Sequence, residues 1–302
     1  MKKVVVTGGA GFIGSNLVDG LVTLDFEVHV IDNFAGGRRE DRINPKAQYH
    51  TADIRDFGTI AAIIDGARFV FHEAALPRVQ FSIEHPQETF SVNVDGLISV
   101  LRAAHEGGVS RLIYAASSSV YGDQANLPLF EDLPPSPKSP YALQKYIGEL
   151  SCRLWSEVYG LQTVSLRYFN VYGPKLDPEG PYALVIGSFL RQKKQGTPLT
   201  ITGDGTQTRD FTHVSDVVSA NLLAAESRNA GKGEVINIGA GRNISINNLA
   251  AIIGGPTINI EARLEPHDTL ADISKARELL GWAPTIKFED GLAELQRLME
   301  IG

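Results

Sequence analysis

The chain is almost without cysteine: Cys152 is the single one among 302 residues. No internal disulfide can form, which excludes a disulfide scaffold and fits a reducing, cytoplasmic setting. No apolar run approaches the roughly 20 residues that span a bilayer. The opening run Val4-Val5-Val6 stops at Thr7-Gly8-Gly9, too short for the core of a signal peptide. The histidines show no metal-ligand spacing and one cysteine builds no zinc site, so no metal is expected. Basic residues are in deficit, 28 against 35 acidic, for a net charge of −7. That argues against a nucleic-acid partner but not against a phosphorylated substrate, which a few local arginines can hold. Repeats and low-complexity tracts are absent too. What is left is ordinary globular composition, 43% hydrophobic and 21% charged. It is enough for one large α/β unit or two modest domains.

In the first half, short β-rich runs at 4–6, 28–31, 48–51, 69–72 and 111–115 alternate with helical patterns at 12–24, 89–106 and 141–159. A further strand is expected at 163–167. The runs at 4–6 and 69–71 are apolar without alternation, as in strands covered on both faces. The β-α-β-α order predicts a parallel sheet with helices on both sides. After about Asn170 the character changes, and the loop formers Gly173-Pro174-Lys175-Leu176-Asp177-Pro178 mark a boundary. Strands at 199–202, 234–238 and 257–261 and helices at 216–226, 246–253, 274–280 and 288–299 follow. The expectation is an α/β fold: a doubly wound parallel sheet of the Rossmann type over 1–170, able to receive later segments, and a smaller interwoven α/β lobe over 171–302. Pro140 stands where helix starts tolerate proline. Trp155 and Trp282 read as packing residues.

Thr7-Gly8-Gly9-Ala10-Gly11-Phe12-Ile13-Gly14 follows the first strand and opens the first helix. Gly9, Gly11 and Gly14 satisfy G-x-G-x-x-G, with Gly8 an earlier glycine. Such a turn lets a pyrophosphate approach the backbone and the helix N-terminus. Asp32, ending the second strand ahead of Asn33, can bind both ribose hydroxyls and repels a 2′-phosphate. NAD is therefore preferred over NADP, with Arg38 and Arg39 as the counter-argument. Asp53-Ile54, after the third strand, can reach the adenine edge; Asp53 also reads as a helix N-cap.

Tyr141-Ala142-Leu143-Gln144-Lys145 is Y-x-x-x-K, two side chains on one helical face. An ammonium beside a phenol is expected to lower the tyrosine pKa and let it exchange protons near neutrality. The spacing alone is common. Its context is not: it follows a strand that ends in Ser117-Ser118-Ser119-Val120-Tyr121-Gly122, where a serine can share the substrate proton, at the strand ends where parallel sheets bind ligands.

Taken together, TGGAGFIG, SSSVYG, SPYALQK, LRYFNVYG and GDGTQTRDF, in this order from about Lys2 to about Gly291, resemble the extended short-chain dehydrogenase/reductase family, nearest its UDP-glucose and UDP-N-acetylglucosamine 4-epimerases. The resemblance implies Ser117, Tyr141 and Lys145 as catalytic residues, with Lys145 also on the nicotinamide ribose. It implies that Gly8, Gly11, Phe12, Ile13, Gly14, Asp32, Asn33, Asp53, Ile54, Ala74, Ala75, Asn93 and Tyr168 line NAD. Asn170 and Arg209 fall near the sugar diphosphate, which suits a planar cation. Ser118 and Ser119 stand where the dehydratases of the family have an Asp-Glu pair and its decarboxylases a glutamate before Val-Tyr-Gly. The implied chemistry is then C4 epimerisation through a 4-keto sugar.

Thr269, before Leu270-Ala271-Asp272, matches the gate residue, and a small gate admits a 2-acetamido group. Ser82, Leu184 and Val185 fall on the sugar side of the family's site. UDP-GlcNAc/UDP-GalNAc is expected, with UDP-Glc/UDP-Gal also accepted. Arg263 can meet the diphosphate, but Arg263-Leu264-Glu265-Pro266-His267-Asp268 departs from the family's Arg-x-Gly-Asp, so a dTDP, CDP or GDP base stays open. UDP-glucuronate epimerisation and a catalytically silent NAD-binding regulator are the alternatives. The resemblance also implies a homodimer through the 89–106 and 141–159 helices, against the plain reading of two core helices. No membrane partner is expected.

Overall fold

The computed structural model describes residues 2–178, 184–261 and 266–301. Six strands of the first half, β1 (Lys3–Thr7), β2 (Glu27–Asp32), β3 (Gln48–Thr51), β4 (Phe69–His72), β5 (Arg111–Ser117) and β6 (Gln162–Tyr168), form one parallel sheet. A seventh strand, Lys232–Ile238, joins beside β6, so the order across the sheet is 3-2-1-4-5-6 and then the late strand.

The unbroken apolar runs of β1 and β4 have the expected cause. Side chains alternate across a strand, so Val4 and Val6 enter one core while Val5 enters the other. On the first face lie α1 (Phe12–Thr23) and the helix Val214–Glu226, through Leu17, Leu21, Val217 and Ala220. On the second lie α2 (Phe57–Ile64) and, further on, the helices Gly96–Glu106 and Pro140–Tyr159. Each such buried Val or Leu side chain contributes roughly 1.5–3 kcal/mol.

After α3 (Val79–Glu84), the helix expected over 89–106 is composite. It consists of α4 (Pro86–Phe90), a widened π turn at Ser91–Asp95, and α5 (Gly96–Glu106). Gly96 brings α5 onto Ile54, whose Cδ1 would lie 2.6 Å from an added Cβ. The π turn carries Asn93, consistent with such turns marking special sites. The longest helix, α6 (Pro140–Tyr159), starts as its sequence predicts: Pro140 fills the first turn and Ser139 Oγ accepts the Ala142 N–H at 3.1 Å. It ends at Gly160 in the left-handed region, φ 71°. Glu149 of α6 and Arg167 of β6 form a buried two-point ion pair at 2.8 and 2.7 Å. Gly148 lets α6 settle on β5, since a Cβ there would lie 2.2 Å from the Tyr114 hydroxyl.

The smaller lobe packs the helices Val185–Lys194, Ile246–Ile253 and Phe288–Leu298 around Phe189, Leu190, Phe211 and Leu249. Its strands Leu199–Thr202 and Thr257–Ile260 pair in parallel. Between these elements the chain crosses back, giving Val214–Glu226 and Lys232–Ile238 to the first sheet. Trp282 pins this return: it is buried and its Nε1 donates to the Asp216 carbonyl at 3.0 Å. Among the described residues no helix is long and apolar enough to cross a membrane, and no His/Cys/Asp/Glu group could hold a metal.

Candidate active site

The strand order reverses between β1 and β4, and open parallel sheets bind ligands in the crevice outside such a switch point. The glycine turn lies there. Gly8 has φ 71°, and a Cβ on it would sit 2.6 Å from the Ala74 backbone nitrogen. A Cβ on Gly14 would be 2.2 Å from the Gly8 carbonyl oxygen. Gly11 caps α1 with no side-chain hydrogen bond, so the first-turn amides, those of Phe12 and Ile13 among them, have no side-chain cap. Asp32 closes the turn: its Oδ2 accepts the Ala10 N–H at 2.9 Å and its Oδ1 that of Phe34 at 2.8 Å. This glycine cradle, with a carboxylate one strand away, fits a dinucleotide diphosphate and an unphosphorylated ribose. Arg38 is paired with Glu40, and Arg39 with Asp41 and Asp177, so acids neutralise both arginines that could have favoured a 2′-phosphate.

Asp53 is not a helix N-cap; Asp56 takes that role for α2. The Asp53 carboxylate, held down at about 2 chiefly by the Arg55 hydrogen bonds, also accepts from Asn33 Nδ2 at 3.3 Å. Ile54 is buried against α5. Ala74 and Ala75 continue β4 and are half-buried. Asn93 and Tyr168, expected to line the dinucleotide, are both buried and hydrogen-bonded within the protein. Asn93 is buried and its amide is spent on both backbone groups of Leu76 and on Gln144 Oε1. Tyr168 is buried with its hydroxyl on Glu73 and Asn221.

Ser117 ends β5 and accepts the Ser119 N–H at 3.2 Å and the Ser119 hydroxyl at 2.9 Å; Ser118 beside it is half-buried. The Tyr141 phenol lies close enough to Ser117 for the serine to lower it, and Lys145 stands one turn on, with Nζ 5.8 Å from the Tyr141 ring centre. The three residues meet at the carboxyl edge of the sheet. The expected lowering of the Tyr141 pKa is overturned: burial pushes the phenol up to about 12, against a smaller lowering by Ser117. Lys145 Nζ donates a hydrogen bond to the Ala115 carbonyl at 2.6 Å, and burial pulls its ammonium down to about 8. For Lys145 desolvation outweighs the pull of Glu73, and for Tyr141 desolvation and Glu73 act in the same direction.

Ser82 does not open toward a sugar. It is fully buried, donates to the Val79 carbonyl at 2.6 Å and accepts the Tyr141 N–H at 3.1 Å. It is a strut under the head of α6. Thr269 and Asn170 do meet, with Thr269 Oγ1 3.4 Å from Asn170 Oδ1. Arg209 turns its Nη1 to the carbonyls of Thr208 and His267, both at 2.9 Å. Leu184 is exposed and Val185 opens the helix that follows it. Arg263 lies outside the described residues. Asp268, in the altered segment, is taken up by the Thr208 amide at 2.9 Å and hydroxyl at 2.6 Å.

Two groups were missed by sequence reasoning. Asp210 accepts the N–H groups of Ala240, Gly241 and Ala271 and ties this lobe together, its carboxyl raised by burial to about 6. Its position next to Arg209 was the available signal. Glu73 carries a carboxyl enclosed beside the catalytic edge, although the residue as a whole is half-buried. The signal was an acid in the position after His72, at the end of an otherwise apolar strand.

The sequence of the NAD dependent epimerase/dehydratase family matches residues 4–239. A UDP-N-acetylglucosamine 4-epimerase from Methanobrevibacter ruminantium, solved with UDP-N-acetylmuramic acid, is 37% identical with a TM-score of 0.91; the match covers 97% of this chain and 96% of that one. A UDP-glucose 4-epimerase from Thermotoga maritima, solved with UDP-glucose, is 34% identical with a TM-score of 0.92, covering 98% and 99%. A UDP-glucuronic acid 4-epimerase from Bacillus cereus, solved with its substrate and NAD, is 34% identical with a TM-score of 0.88, covering 99% of both chains. The chain belongs to the NAD dependent epimerase/dehydratase family, within its extended short-chain dehydrogenase/reductase branch.

Proposed function

We propose that the protein is an NAD-dependent nucleotide-sugar 4-epimerase that interconverts UDP-GlcNAc and UDP-GalNAc and also accepts UDP-Glc and UDP-Gal. The observation that carries this is the meeting of Ser117, Tyr141 and Lys145 at the strand ends beside a glycine cradle that no side chain fills. The cradle and Asp32 would hold the dinucleotide. NAD, when bound, supplies a reversible two-electron oxidation at C4. The protein's own residues handle the proton. Tyr141 takes the C4 hydroxyl proton and returns it, and Ser117, beside the phenol, would share that proton. Lys145 brings a cation to the same face of α6, which favours the phenolate. Between the two proton transfers the 4-keto sugar turns about its diphosphate, which Arg209 and Asn170 would hold. Thr269 is nine-tenths buried and small, and this supports room for a 2-acetamido group.

The assay is purified protein with no added cofactor, incubated with UDP-GlcNAc and separately with UDP-Glc, products resolved by NMR. UDP-GalNAc from the first supports both the class and the sugar. Turnover of UDP-Glc alone keeps the class and overturns the gate argument at Thr269. No turnover of these or of UDP-glucuronate would overturn the epimerase reading.

The same reading includes a homodimer. On α6, Leu143, Leu150, Leu154 and Val158 are exposed at spacings of seven, four and four residues, a stripe on one helical face.

A further inference from the structure

Glu73 follows His72 at the carboxyl end of β4, and its backbone is locked. Its N–H donates to the Thr7 carbonyl at 3.1 Å, and its carbonyl carbon would be 2.9 Å from a Cβ on Gly8. The side chain is held as well: Oε1 accepts the Tyr168 hydroxyl at 2.8 Å. Tyr168 ends β6 directly opposite Ser117 in the sheet register. Asn221, from the helix Val214–Glu226, donates to the same hydroxyl at 2.8 Å and to its own helix at Val217. A carboxyl group is thus fixed by a three-residue chain one residue past the His72–Tyr114 pair of β4 and β5, as is Ala115, whose carbonyl holds Lys145; its charge acts on both Lys145 and Tyr141.

We propose that Glu73 is a positioning residue for the proton chemistry of this site, its carboxylate holding Lys145 as a cation while opposing the phenolate of Tyr141. The proposal rests on the epimerase reading for the roles of those two residues. Besides Glu149, itself paired with Arg167, and Cys152 of α6, and Tyr114 of β5, which burial keeps neutral, the groups acting across this corner are these. α6 gives Lys145 and Tyr141, β6 gives Tyr168, the helix Val214–Glu226 gives the neutral Asn221, and β4 gives His72, which burial keeps neutral by lowering it to about 3. Burial raises Glu73 itself to about 7, with Tyr168 and Lys145 pulling the other way. Its charge therefore changes in the neutral range where the other two are expected to work.

The test is Glu73→Gln, which keeps the shape and an oxygen for Tyr168 but removes the charge. Two titrations are read on the purified holoenzyme: the Tyr141 phenol by ultraviolet difference absorbance against Tyr141→Phe, and Lys145 by the NMR shift of ¹³C-labelled lysine against Lys145→Met. Removing a negative charge moves both midpoints down, each by about one pH unit. A merely structural effect does something else. Loosening the site returns Tyr141 downward toward 10.0 but Lys145 upward toward 10.5, their ordinary values. Opposite shifts, or none, overturn the proposal. Tyr168→Phe is the second variant. It leaves the carboxyl and removes its donor, so the carboxyl titrates higher, stays neutral to a higher pH than in wild type, and the Lys145 midpoint falls by less than in Glu73→Gln; an unchanged Lys145 midpoint together with a raised Glu73 would overturn the proposal. Epimerisation is assayed separately: shifted midpoints without turnover would keep Glu73's role and sink the epimerase reading instead.

Discussion

Lys145 directs its ammonium to the Ala115 carbonyl at 2.6 Å, not to the phenol of Tyr141 on the same helical face. A strand carbonyl has thus fixed the charge of α6 over the end of β5, with Nζ 4.9 Å from the Tyr114 ring and 5.8 Å from that of Tyr141. The lysine is anchored first and acts on the tyrosine through space.

That anchoring has a pH signature. Lys145 is lowered from 10.5 to about 8 by burial, so between those values the unfolded chain binds more protons than the folded one. Stability rises with pH wherever that holds. The protein should gain stability from about pH 8 toward 10.5, and Lys145→Met should flatten that part of the curve. Turnover moves the other way: above pH 8 the cation is lost, and kcat should fall. Tyr141→Phe should cost about 100-fold or more in kcat while leaving NAD bound. Urea denaturation and steady-state rates across pH 6–10 check both; a stability curve unchanged in Lys145→Met would contradict the assigned burial.

The glycine cradle admits no side chain at its tightest point. In Gly14→Ala the added Cβ would lie 2.2 Å from the Gly8 carbonyl oxygen, a backbone atom that cannot swing aside. Overpacking of this kind costs about 1–3 kcal/mol. The turn shifts, the melting temperature drops by several degrees, and bound NAD is lost on gel filtration. Retention of NAD at wild-type occupancy would show that the dinucleotide does not rest on this turn.

The parts of the molecule legible in its sequence are those set by local pattern. Val4-Val5-Val6 is apolar throughout because each face of β1 meets a different core, and G-x-G-x-x-G and Tyr-x-x-x-Lys are spacings within a single turn or helix. What escaped depends on distant partners. The strand Lys232–Ile238 pairs with β6, tens of residues earlier in the chain, so its sheet could not be assigned from its own residues. Ser82 was expected on the sugar side but lies under α6, because a serine in a short helix carries no mark of what it faces. The raised Tyr141 pKa escaped for the same reason: Y-x-x-x-K shows a neighbouring charge but neither the burial of the phenol nor the strand carbonyl that takes up the lysine.

Thr269 offers a test of sugar choice. Its hydroxyl accepts the Asp210 N–H at 3.2 Å and meets Asn170, so its side chain is held in one place. Thr269→Tyr puts a ring into that nine-tenths buried position. The ratio of kcat/KM for UDP-GlcNAc over UDP-Glc should fall by roughly 10- to 100-fold, the range open to a change of pocket size. An unchanged ratio would mean that the acetamido group lies elsewhere.

The exposed stripe on α6 predicts the state of the protein in solution. Leu150 and Leu154 are 44% and 48% exposed, one turn apart, and Val158 is 62% exposed a further turn on. Covering each of these with a second copy of α6 would contribute up to about 1.5–3 kcal/mol. Lys145 and Glu149 are buried on the opposite face of the same helix, so the stripe can be changed without touching the site. Sedimentation equilibrium should give twice the 32.7 kDa of the chain. Leu150→Glu combined with Leu154→Glu places two carboxylates where the helices would meet and should yield monomers with unaltered far-ultraviolet circular dichroism. A wild-type protein that sediments as a monomer would leave the stripe as ordinary exposed surface.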